Sequence, residues 1–323
     1  MYIYGCNTDP EADDDALYDA LNWLLAQGVL VINISMYRNN NLHGVYDTVC
    51  AYFDFIISNH CVSIVGSAGN GNGNGYITCP GIALNMITVG SINSEKKVAY
   101  DSAYIEKNSH SHIFKPNLVA PGVNIFIEGM GCNSGTSFAA PFVTGLIALL
   151  LEEFPILAYY PDTITATLMA GADALPSQSD ILSDRVGAGL INYEKTRLIL
   201  SSGYYRQYSV NEENFDNSRV GVFSVSIPAN SYVDIAFSNV VWSNRNSIFS
   251  DVEINTSFTL FKLEVCDINY NYIDTVFSNN GNINKGRFYN LNSEETTYIF
   301  EFYINGESSE SDYQAVSIAY CIN

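Results

Sequence analysis

The chain has 323 residues, 47% of them hydrophobic, enough for one large core or two smaller ones. A net charge of −20 with only 14 Lys and Arg leaves no basic patch to neutralise phosphates, which excludes nucleic acid as a partner. No apolar run reads as a membrane span, and the opening MYIYGCNTDPEADDD has no basic region followed by an apolar one, so it is no secretory signal.

Asp13, Asp14 and Asp15 precede ALYDALNWLLAQG, where Leu17, Ala20, Leu21, Leu24 and Leu25 fall at helical spacing and Gly28 supplies a C-cap. The acidic run reads as charge placed against the helix dipole. Val29 to Ser35 then reads as a fully buried strand. A second helix, YDTVCAYFDFIISNH, puts Val49, Phe53, Ile56 and Ile57 on one face, and VSIVGSAGN follows as a second buried strand. This alternation predicts a parallel sheet covered by helices, with ligands met at the carboxyl ends of its strands. The second strand runs into Ser67 to Gly75, where glycines let backbone approach a bound group closely; an ordinary Asn-Gly turn has the same composition.

The stretch from Gly135 to Phe154, GTSFAAPFVTGLIALLLEEF, is too long and apolar for a strand and reads as a helix buried on nearly every face. Ser137 stands at its start, beside N–H groups that lack intrahelical partners and at the positive end of the dipole. The ring of Pro141 denies the Ser137 carbonyl its helical bond and loosens the first turn. Taken alone, Gly-Thr-Ser is an ordinary helix cap.

After about Leu200 helical periodicity gives way to alternation in VGVFSVSIPANSYVDIAF, SFTLFKLEV, TYIFEFYI and YQAVSIAYC, separated by Asn, Ser and Gly turns. These predict an all-β sandwich of jelly-roll type over 201–323. The chain's seven cysteines are odd in number and lack CxxC spacing, which argues against zinc. Cys266 and Cys321, both in this half, either pair or stay reduced in the core.

The whole string GTSFAAPFVTG resembles the nucleophile-serine signature of the subtilisin-like serine peptidases, with Phe142 where that family usually has a His outside its triad. ALNMITVGSIN, VAYDSAY, KPNLVAPGVNIFI, PDTITATLMAGADAL and GAGLINYEKTRLIL follow in the family's order, so the resemblance runs over about residues 13–200. It implies an α/β fold, a parallel-sheet domain over 1–200 that is N-terminally incomplete, followed by the sandwich, which itself resembles accessory domains of bacterial secreted peptidases. It makes Ser137 the nucleophile and Asn70 the side-chain donor of the oxyanion hole. Ser35, Met36 and Tyr37 take the place of the edge that pairs with substrate backbone, although Tyr37 and Arg38 depart from the pattern. Ser67, Ala68 and Gly69 take the place of a specificity-pocket wall, and Gly135 and Thr136 flank the nucleophile.

The strand with the triad Asp and the helix opened by His-Gly are both missing ahead of these landmarks. His43 falls too late in the order to be that His; His60 reads as a helix end, and His110 and His112 as a polar loop. The expectation is a serine endopeptidase whose His and Asp are not in this chain. Its partners would be a polypeptide substrate and a separate N-terminal fragment, or a second copy covering the open sheet edge. The alternatives are a catalytically inactive peptide-binding module and a structural protein anchored by its sandwich. Family habit implies a secreted or cell-surface protein. Calcium is common in such enzymes, but no acidic loop has ligand spacing, so no cofactor and no metal site are expected.

Overall fold

The computed structural model describes residues 14–36, 45–71, 76–106, 113–176, 178, 180–210, 219–241, 261–278, 281–304 and 314–323. Its first half runs α1 (Asp14–Ala26), β1 (Val31–Ile34), α2 (Thr48–His60), β2 (Ser63–Ser67), β3 (Ile87–Ile92), β4 (Leu118–Pro121), the hairpin β5 (Ile125–Ile127) and β6 (Gly131–Asn133), α3 (Thr136–Glu153), α4 (Pro161–Gly171) and α5 (Tyr193–Ser201). Local chemistry sets the ends. Asp47 caps α2 by accepting from the amides of Val49 and Cys50, both at 3.0 Å, and Cys61 closes it in the left-handed region at φ 52°.

Strands β1 to β4 form one parallel sheet in that order, with Val31 opposite Ser63, Val65 opposite Ile87 and Val89 opposite Leu118. The period of two sends Ile32, Ile34 and Ile64 to one face, into a core with α1 and α2. Val65, Ile87, Val89, Leu118 and Ala120 point to the other face, against Ala139, Val143, Ile147 and Leu150 of α3. Both faces are therefore covered, as a parallel sheet requires.

Two expectations need correction. Residues 29–35 are not a fully buried strand: β1 is four residues long, lies at the sheet edge and exposes Asn33. Helix α3 is not buried all round, since Pro141, Phe142, Gly145, Ala148 and Leu149 are exposed along one side. Among the described residues α3 is also the one helix long and apolar enough to cross a membrane; here 44% of it is buried inside the fold, seated on the sheet.

The second half comprises β7 (Tyr205–Val210), β8 (Arg219–Ile227), β9 (Tyr232–Asn239), β10 (Phe261–Cys266), β11 (Tyr272–Ser278), β12 (Ile283–Tyr289), β13 (Thr296–Ile304) and β14 (Gln314–Ile322). They make two antiparallel sheets, β11-β10-β13-β8 and β12-β9-β14-β7, whose inner faces share a core rich in phenylalanine. Phe261 stacks on Phe302 at 5.1 Å, and Phe223 on Phe300 at 5.3 Å. Cys266 and Cys321 are free thiols on different sheets, so the reduced alternative holds for them.

Helix α4 joins the halves. Every one of its 11 residues is buried, and it packs against the sheet of β7, β9, β12 and β14. A run of hydrogen bonds passes from Gln207 Nε2 to Thr163 Oγ1 (2.8 Å), on to Ser317 Oγ (2.7 Å) and to the Asp162 carboxylate (2.7 Å). Lys285, also buried, spans the carbonyls of Ala172 and Ala188 at 3.2 Å each. Burial pulls its ammonium down to about 8 despite the nearby Asp234.

Candidate active site

The amino end of α3 lies at the carboxyl rim of the sheet. Gly135 caps it with φ 144°, a backbone conformation open to glycine, and a Cβ there would stand 3.0 Å from Asn70 Nδ2. The Gly135 amide donates to the Gly122 carbonyl just past β4, tying the helix start to the rim.

Asn70, three residues beyond β2, accepts at Oδ1 from the Thr136 amide (2.9 Å) and the Thr136 hydroxyl (3.1 Å). Thr136 Oγ1 in turn accepts from the Gly69 amide at 2.9 Å. With its oxygen held twice, the amide plane of Asn70 is fixed and its NH2 is the free end. That end makes no hydrogen bond among the described residues, and Asn70 is exposed. A donor held against Thr136, the first residue of a helix whose second residue is Ser137, can meet developing negative charge without titrating.

Ser137 is half-buried and reaches toward β1. Its Oγ donates to the Ser35 carbonyl at 3.4 Å, while Ser35 Oγ donates to the Ser137 carbonyl at 3.1 Å. The second bond answers the vacancy that Pro141 creates, since a proline has no N–H to offer that carbonyl. The polar line continues from Asn33 Nδ2 to Ser35 Oγ (3.0 Å) and from Thr144 Oγ1 to Asn33 Oδ1 (3.0 Å). Asn33 and Thr144 were missed at the sequence level; the lone polar residue inside VLVINIS was the available signal.

Beside this line runs a groove of about 1120 Å³ between α1, the free edge of β1 and the exposed side of α3, lined by Leu17, Leu21, Leu24, Pro141, Gly145 and Ala148 among others. Free strand edges and uncovered apolar faces are normally paired or covered.

The other sequence-derived site residues divide. Ser35 is exposed at the rim, whereas Met36 packs against the core beneath α1 and α2. Ser67 and Ala68 are 6% and 2% exposed, so their side chains face the interior and this strand end presents backbone rather than a side-chain wall. Gly69 and Gly135 bring their main chains close to Asn70, and Thr136 is fully buried as its anchor. Tyr37, His43, His110 and His112 lie outside the described residues. Among the described residues Ser137 bonds to no histidine or carboxylate; His60 ends α2 and packs edge-on against Phe55.

The model of the subtilase family of peptidases matches residues 1–189, more than half of the chain. The chain belongs to the subtilase family. Among curated relatives it is similar to pyrolysin of Pyrococcus furiosus, 29% identical over an alignment of 225 residues that covers 58% of this chain and 16% of the relative. It is 27% identical to the serine protease AprX of Bacillus subtilis, covering 42% of this chain and 35% of the relative. The chain thus spans from about a sixth to about a third of these relatives. A solved structure of the prenylagaramide maturation protease PagA shares the fold, with a TM-score of 0.50 at 22% identity over 59% of this subtilase chain and 70% of that one. The patellamide maturation protease PatA gives 0.50 at 24% identity over the same shares. The family match stops before α5, so it covers the parallel sheet and the α3 rim.

Proposed function

We propose that this subtilase chain carries the nucleophile and oxyanion donor of a serine endopeptidase, with Ser137 attacking a peptide carbonyl. The tetrahedral oxyanion would be met by Asn70 Nδ2 and the Ser137 amide. The observation that carries this reading is the double anchoring of Asn70 Oδ1 on Thr136, the residue before Ser137, which leaves its NH2 free. Residues 1–200 form the peptidase unit and 201–323 a jelly-roll sandwich docked on α4. The substrate is an extended polypeptide laid along Ser35, Met36 and Tyr37 on one side and Ser67 to Gly69 on the other. Export to the cell surface or medium follows family habit.

A serine hydroxyl needs a base, and the base and its orienting Asp come from a strand and helix outside this chain, seated on the free edge of β1 and in the groove beside α3. By itself the chain is inert. The experiment is hydrolysis of an unfolded protein substrate by the chain alone and after co-refolding with a fragment bearing an Asp strand and a His-Gly helix. Turnover that needs the fragment and disappears in Ser137→Ala supports the reading. Saturable peptide binding that is unchanged in Ser137→Ala, with no turnover in any combination, contradicts it. That second outcome would favour the inactive binding module, a reading to which the Ser137–Ser35 bond also lends itself.

A further inference from the structure

Cys50 lies in the first turn of α2 and Cys79 in the segment between β2 and β3; both are buried, at 0% and 1% exposure. Their sulfurs and an oxygen of Asp47 all lie within 4.8 Å of one another. The segment that carries Cys79 is clamped to the same helix further along, because Asp54 of α2 accepts from the amides of Leu84 (3.0 Å) and Asn85 (2.7 Å). The Asp54 carboxylate therefore ties the segment that carries Cys79 to the helix that carries Cys50.

We propose that Cys50 and Cys79 are a disulfide site, closed when the chain meets a disulfide-exchange oxidant. The thiolate of one cysteine attacks a sulfur of a small disulfide such as oxidised glutathione, giving a mixed disulfide and one glutathione thiolate. The thiolate of the other attacks the protein sulfur of that mixed disulfide, forming the Cys50–Cys79 bond and expelling a second glutathione thiolate. Two thiol protons and two electrons leave the protein, and one glutathione disulfide is reduced to two thiols. A disulfide needs its sulfurs about 2 Å apart, a contraction of the kind made by rotation about the two χ1 bonds.

A zinc site is the competing use of the same atoms. Structural zinc takes four ligands, and this group offers three among the described residues, one of them already committed to capping α2. Burial pushes both thiols up, so in the closed fold they stay protonated and unreactive. The bond accordingly forms while the chain folds. Gly81, two residues after Cys79, backs the Ser67 carbonyl at the end of β2, so the cross-link staples α2 to the segment that supports that rim.

The test is refolding of the full chain in a mixture of reduced and oxidised glutathione, followed by acid quench, alkylation and a non-reducing peptide map. The expected result is a linked peptide pair holding Cys50 and Cys79, about 2 Da lighter than the two reduced peptides together. The melting midpoint should exceed that of the same sample with reductant by about 5 °C, and Cys50→Ala should abolish that difference. Alkylated Cys50 and Cys79 in correctly folded, oxidised protein would overturn the proposal. One equivalent of zinc per chain, held by reduced thiols and lost in Cys50→Ala, would overturn it too. The peptide map needs no variant, so a poorly folding substitution leaves the answer intact.

Discussion

Ser35 and Ser137, 102 residues apart, each donate a side-chain hydroxyl to the other's backbone carbonyl. The pair exists because Pro141 empties one acceptor in the first turn of α3 and the end of β1 lies close enough to fill it. If that account is right, Ser35 and Pro141 are energetically coupled. Ser35→Ala should cost about 1 kcal/mol in the native chain. In a Pro141→Ala background, where an amide N–H at position 141 can serve the Ser137 carbonyl, the same change should cost clearly less. Denaturant melts of the four proteins in the cycle decide it; equal costs in both backgrounds would count against the pairing.

Asn70 is expected to do two separable jobs. Its oxygen anchors Thr136, and in the proposed function its NH2 donates to the oxyanion. Asn70→Asp keeps an acceptor and so should hold stability to within about 1 kcal/mol, while removing the donor. In the complemented enzyme it should cut kcat by about two to three powers of ten with little change in KM. A fall in stability that accounts for the whole loss of turnover would assign Asn70 to structure alone.

Gly135 has no substitute by the same geometry. Gly135→Ala places a Cβ 3.0 Å from Asn70 Nδ2 on a backbone at φ 144°. We expect a loss of about 2 kcal/mol or more in thermal or denaturant unfolding. A neutral substitution would show that the rim yields.

Much of this site was legible in the sequence because its parts are backbone demands written as residue types. A glycine that must take a positive φ, a serine at a helix start and a proline four residues on survive as a linear string. The open sheet edge at β1 was expected only from the missing strand and helix; the residues themselves do not show it or the open side of α3, because VLVINIS and GLIALLLEEF look the same whether or not a neighbour covers them. Strands β7, β11 and β12 went unnoticed for a different reason. Strand β11 lies at a sheet edge with Tyr272, Ile273 and Asp274 all exposed, and β12 buries Lys285 against α4, so neither keeps a clean apolar alternation.

Lys285 supplies a test of how the two halves are held together. Its folded value near 8 lies below the ordinary lysine value, so between about pH 8 and pH 10 the unfolded chain holds the proton that the folded chain has released. The lysine's contribution to stability should therefore rise through that window. Buried tyrosines and thiols pull overall stability the other way at alkaline pH, so the useful quantity is the difference between the native chain and Lys285→Met. Asp234 stays paired with Arg287 in that variant, at 2.6 and 2.9 Å. The native chain should gain on the variant as pH rises from 8 to 10; parallel pH profiles would contradict a buried, poorly charged Lys285.

The most direct measurement is covalent labelling by a fluorophosphonate probe, with the modified residue located by mass spectrometry. The account predicts no labelling of the chain alone and labelling confined to Ser137 once the Asp- and His-bearing segment is seated, with the Asn70→Asp chain labelled far more slowly. Labelling of another residue, or a Ser137 that stays unmodified in every complemented form, would contradict it.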